Sequence, residues 1–174
     1  MDFNAGFLEG WDLVPDLIAS DFNADVTGTR FFAGHSKKVY WMLQKPAGTA
    51  GDDFDITFNQ ATAASGGSTK VLTTSRFHYK KASSSNTFAP SILWTNVVLT
   101  TPISQFLGDS TPSDLTLDTV AAVVLFELDA CDVTNGYNWI FVQNEGDGIA
   151  NALVVNAYYL SRDVYAQAIP VSKA

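Results

Sequence analysis

The sequence has little of what most site chemistry is built from. Its 174 residues include one cysteine and two histidines. A lone cysteine excludes an intrachain disulfide and leaves the redox compartment open. Cys131 sits between Asp129 and Asp132, and negative neighbours oppose thiolate formation. It reads as a packed or idle thiol. His35 and His78 have no neighbouring His or Cys at metal-ligand spacing. Gly-x-Ser-x-Gly, a phosphate-cradling glycine loop ending in Lys-Ser/Thr, and His-Glu-x-x-His are all missing. No catalytic residue, metal ligand or cofactor is therefore expected.

Charge is scarce too. Asp, Glu, Lys and Arg make up 16% of the chain, against about 25% in ordinary domains. The net charge is −8, a poor basis for nucleic-acid binding, which relies on cations that neutralise phosphate. The longest apolar run, Val120–Phe126, is far short of the roughly 20 residues a membrane helix needs. The start of the chain lacks a basic, then apolar, leader pattern. The expectation is a soluble, unprocessed protein with neither nucleic acid nor membrane as partner.

Hydrophobic residues are plentiful, at 47%. A chain this long is about one domain and can bury roughly 70% of its surface. Phe54, Ile56 and Phe58 alternate with Asp55, Thr57 and Asn59, as a strand with one buried face requires. Val39–Leu43, Arg76–Lys80, Trp139–Val142 and Leu153–Leu160 also read as strands. Ile92–Leu99 and Val120–Leu128 fit strands buried on both faces. Turn signals fall between them at Pro46–Gly48, Ser65–Ser68, Ser83–Asn86, Asn135-Gly136 and Glu145–Gly148. The pattern predicts an all-β fold, an antiparallel β-sandwich or jelly-roll-like barrel. Residues 139–144 and 152–161 read as a hairpin across the glycine-rich loop. Trp41, Trp94 and Trp139 fall inside predicted strands, and most of them are expected in the core.

Residues 1–28 differ in kind. They hold six acids and no Lys or Arg, whereas residues 29–81 are net +5 and residues 82–174 net −7. The plain reading is chance clustering of surface charge. The sharper one is complementary patches that set register between subunits. The segment shows no strand alternation, and Asp12–Ser20 suits a short helix with Asp12 as cap and Pro15 in its first turn. Two units are thus expected, a non-β N-terminal arm over 1–28 and a β-sandwich over 29–174. The arm is rich in large apolar groups, so it packs on its own domain or on a neighbour. Phe3, Phe7 and Trp11, then Leu13, Val14 and Leu17, are the candidate partner contacts, since aromatic anchors dominate interface energetics.

Asp52-Asp53-x-Asp55 and Asp129-x-x-Asp132 offer carboxylates, but neither completes a calcium loop. No carboxylate pair for glycoside hydrolysis is singled out.

Three segments in order resemble small virion structural proteins of tailed bacteriophages. They are Ala47–Lys81, with Ala47-Gly48-Thr49-Ala50-Gly51-Asp52-Asp53 and Phe77-His78-Tyr79-Lys80-Lys81; Val124–Ile140, with Phe126-Glu127-Leu128-Asp129-Ala130-Cys131-Asp132; and Ala152–Arg162, with Tyr165 shortly after. The match spans about residues 36–165, and no single motif in it is catalytic. The resemblance implies an all-β protein that assembles on the particle. It implies a capsid decoration, or cement, protein on the capsid exterior. Such a protein partners with itself, often as a trimer, and with a major capsid protein. A tail, neck or fibre-base component and a carbohydrate-binding β-sandwich are the alternatives.

Overall fold

The computed structural model describes residues 12–34, 36–49, 55–84, 86–107, 119–145 and 153–163. Twelve strands run through them. They are β1 (Asp12–Asp21), β2 (Val26–Thr27), β3 (Phe31–Phe32), β4 (Ser36–Lys45), β5 (Asp55–Ala61) and β6 (Thr69–Val71), followed by β7 (Thr74–Lys81), β8 (Thr95–Ile103), β9 (Gln105–Leu107), β10 (Ala122–Leu128), β11 (Trp139–Glu145) and β12 (Val154–Asp163). A single 3₁₀ turn covers Val133–Asn135. The large sheet has the order β1-β12-β4-β10-β7-β8. The second has the order β2-β11-β5-β6, with β3 also on β11 and β9 also on β5. Every pairing is antiparallel. The two sheets pack face to face as a β-sandwich, the all-β class the alternation predicts.

The core follows from the two-residue period of a strand. One cross-strand row runs through Val14, Tyr159, Trp41, Phe126, Phe77 and Val97. The next inward row is Leu17, Ala157, Leu43, Val124, Tyr79 and Thr95. From the facing sheet come Ile56, Phe58, Phe106, Ile140 and Val142, all essentially inaccessible. Phe126 is the hub. Its ring centroid lies 4.9 Å from Phe106, 5.1 Å from Phe58, 5.8 Å from Phe77 and 5.9 Å from Trp41. Offset and edge-on aromatic pairs in this range add to the burial of their area.

One turn shows how sequence sets local geometry. The β5–β6 hairpin turns through Gly66 and Gly67 at φ of +65° and +72°, a region that side chains with a Cβ resist. Arg30 reaches over Phe141 to this turn and donates to the carbonyls of Ala63 and Gly66.

Several expectations need correction. The N-terminal segment is not a non-β arm from residue 12 onward, nor is Asp12–Ser20 helical. Asp12–Asp21 is a ten-residue strand on β12, and Val26–Thr27 pairs with β11. The boundary at residue 28 therefore falls within the sandwich. The register slips after Pro15 and again after Leu17, and Ala19 sits at φ +48°. These bulges scramble the alternation that would have marked a strand. Residues 1–11 lie outside the described residues.

The expected terminal hairpin is absent as well. β11 lies beside β5 in one sheet and β12 beside β4 in the other, so the two strands are not neighbours. Strand periodicity identifies a buried face but not a neighbour. β8 is not buried on both faces. It ends the large sheet and is largely exposed. β10 is central, but only its inward residues are fully buried, in strict alternation. Trp94 lies just ahead of β8 at 47% exposure, outside the core, whereas Trp41 is wholly buried.

Candidate functional surface

The partner contacts expected from the N-terminal segment divide sharply. Phe3, Phe7 and Trp11 lie outside the described residues. Leu17 is buried in the chain's own core. Val14 packs against that core. Leu13 stands out from the end strand at 41% exposure.

What holds β1 in place is a buried carboxylate. Asp16 accepts from Trp41 Nε1 at 2.7 Å and from the Thr29 backbone N–H at 2.7 Å. The Tyr159 hydroxyl is its third partner. Trp41 and Tyr159 belong to the large sheet. Thr29 follows Gly28, whose N–H donates to Val142 of the second sheet. One side chain thus stitches both layers at the β1 edge. Gly28 must be glycine, because a Cβ there would lie 2.5 Å from Asp16 Oδ1. Burial raises the Asp16 pKa from 3.8 to about 6, against the opposing hydrogen bonds. The same burial, with the carboxylate beside it, pushes the Tyr159 hydroxyl well up.

Asp129 and Asp132, one of the two acidic spacings, have structural partners. Asp129 accepts from the hydroxyls of Thr73 and Ser75. Asp132 pairs with Lys70 and accepts from the Asn135 N–H at the 3₁₀ turn. These bonds hold its carboxyl below the usual range. Asp52, Asp53 and His35 fall outside the described residues. Among the described residues, no group of three or more His, Cys, Asp or Glu is placed to hold a metal ion. No described helix is long and apolar enough to cross a membrane.

One cleft of about 390 Å³ opens at an end of the sandwich, lined by Lys38, Glu127, Asp129, Cys131, Val133 and Ile140 among others. Its volume suits a small ligand, but its polar groups are already committed. Lys38 and Glu127 form an ion pair at 2.7 Å, and Asp129 holds its two hydroxyls. Burial raises the Cys131 thiol to about 11, so it stays protonated near neutral pH. Desolvation, rather than the flanking acids, is the cause. Its named acids and its cation are thus paired, and its thiol is protonated.

The outer face of the large sheet is the feature sequence reasoning missed. Its central cross-strand row is Pro15, Tyr158, Met42, Leu125, His78 and Asn96. The row beside it is Leu13, Leu160, Tyr40, Glu127, Arg76 and Val98. The middle of this face is apolar and aromatic where a free sheet face is normally polar. Leu93, Trp94 and Val98, at 81%, 47% and 61% exposure, extend it at the β8 end. The signal was present in Val39–Leu43, where Tyr40 and Met42 make the second phase of a half-exposed strand apolar too.

Compared with models of known families, with curated proteins and with solved structures, the chain matches none.

Proposed function

We propose that the chain is a non-enzymatic structural subunit of a tailed-bacteriophage virion, a decoration protein that binds the outside of the capsid shell. The observation behind this reading is the apolar outer face of the large sheet. A contiguous exposed apolar patch on a soluble chain marks an interaction surface, and stable interfaces bury on the order of 1,600 Å² in total. Tyr158, Met42, Leu125 and Tyr40, each half-buried, lie at its centre, where aromatic and large aliphatic anchors contribute most. The committed polar groups of the cleft support a binding role over catalysis. The order of sequence segments supplies the virion and capsid terms.

Gold-labelled antibody against the chain, imaged on particles of the encoding phage, tests the placement. Label over the head shell is expected. Label confined to the tail or neck moves the protein there, and unlabelled particles overturn the virion reading. Exposed Trp94 favours a second reading, a sugar-binding module, because carbohydrate sites stack on such rings. That reading requires saturable quenching of Trp fluorescence by a glycan.

A further inference from the structure

The two end strands of the large sheet come from parts of the chain with opposite charge. Residues 1–29 contain no Lys, Arg or His, and residues 56–108 contain no Asp or Glu. The first stretch supplies β1, and the second supplies β7 and β8. At the β1 edge, Leu13, Ile18 and Asp21 are exposed, and exposed Asp25 follows just before β2. At the other edge, Arg76, Lys81 and Val98 are exposed, and Lys80 lies 5.2 Å over the Trp94 ring.

The levels along the strands also correspond. Leu13 shares a cross-strand row with Arg76 and Val98. Asp21 pairs with Val154, two residues along β12 from Asn156. Counting the same two-residue offset through Gln44, Val123 and Lys80 sets Asp21 level with Ala82, next to Lys81. Strand direction reverses at each step, so β1 of a second copy laid beside β8 with ends level is antiparallel to it. Leu13 then comes level with Val98, and Asp21 comes level with Ala82, beside Lys81 one strand in from the edge.

Building on the assembly reading above, we propose that the acidic β1 edge of one copy packs against the basic β7–β8 edge of the next. Such a contact is heterologous, and it closes into a ring when the rotation between copies allows. The contact is made by side chains rather than by a continuous backbone ladder. Pro15 has no N–H to donate, and the slips after Pro15 and Leu17 break the line of β1. Attraction between exposed charges is screened by salt, so association weakens as ionic strength rises.

Two double variants of the full chain test this. Leu13→Lys with Ile18→Lys makes the β1 edge basic, and Arg76→Glu with Lys81→Glu makes the β7–β8 edge acidic. All four positions are exposed, and circular dichroism checks that each variant folds. By light scattering the wild type is expected to be oligomeric. Each variant alone is expected at single-chain mass, since its two edges now repel. An equimolar mixture is expected to re-form assemblies containing both. Either variant keeping the wild-type mass, or a mixture that stays monomeric, overturns the edge contact. A wild-type chain that is monomeric throughout also overturns it, while the shell-binding reading still stands or falls by gold labelling.

Discussion

The two faces of the large sheet use the same strands for different ends. On the inner face, Val14, Tyr159, Trp41, Phe126, Phe77 and Val97 meet the opposing sheet and explain why the chain folds. On the outer face, Pro15, Tyr158, Met42, Leu125, His78 and Asn96 turn away from the opposing sheet and stay partly or fully exposed. The inner row is what any half-buried sheet requires. The outer row is too apolar for a face left in water, and that excess is what points to a partner. Burial within the chain reports stability, and apolar area left over reports function.

The largest expected effect separates the faces directly. Phe126→Ala opens a cavity among four rings and should cost about 3–5 kcal/mol in denaturant unfolding. Its neighbour Leu125, on the outward face, should cost only about 1 kcal/mol as Leu125→Ala in the free chain, because little contact is lost. Equal losses would erase the distinction between the faces.

The next effect concerns the edge where the sheets are stitched. The Asp16 pKa is raised on folding, so the folded state binds a proton the more readily. The group therefore adds stability below pH 3.8, and that stability is lost as pH rises through about 6. Over that window the change is roughly 3 kcal/mol, at about 1.4 kcal/mol per unit. Asp16→Asn cannot ionise, and its single amide oxygen can accept from Trp41 or from Thr29 but not from both, a loss that does not vary with pH. Subtracting its stability from the wild type's at each pH isolates this trend from the other carboxylates. The difference should fall from pH 4 to pH 7 and then level off. A flat difference would show that the carboxylate is not buried as described.

Gly28→Ala probes the same stitch from the opposite side. Its Cβ must push the Asp16 carboxylate aside, which should cost about 1–3 kcal/mol, the usual range for overpacking. The smallest effect is chemical. Cys131 should alkylate more slowly at pH 8 than a free thiol, and its rate should still be rising above pH 10, since burial holds the thiol near 11. A fast reaction at pH 8 would mean that the cleft opens in solution.

Sequence reasoning reached the inner face more readily than the outer one. The alternation of Ile56 and Phe58 and the runs at Val39–Leu43 and Val120–Leu128 were legible because burial imposes a period of two. β1 was illegible because its bulges reset that period twice. The placing of β11 and β12 in different sheets was illegible because alternation does not name a strand's neighbour. Asp16 gave no sign of its role, since its partners Trp41, Thr29 and Tyr159 meet only after the two sheets close. The outer face was half legible. Tyr40 and Met42 break the polar phase, but only the register across β12, β4 and β10 joins them to Tyr158 and Leu125 as one surface.

The most direct test of the account is co-sedimentation of the purified chain with phage heads lacking it, comparing wild type with Leu125→Lys. The substitution puts a charge at the centre of the outer face and leaves the core untouched. The account predicts that wild type sediments with the heads, while Leu125→Lys stays in solution with its unfolding midpoint nearly unchanged. Equal binding by both proteins, or binding by neither, would contradict it.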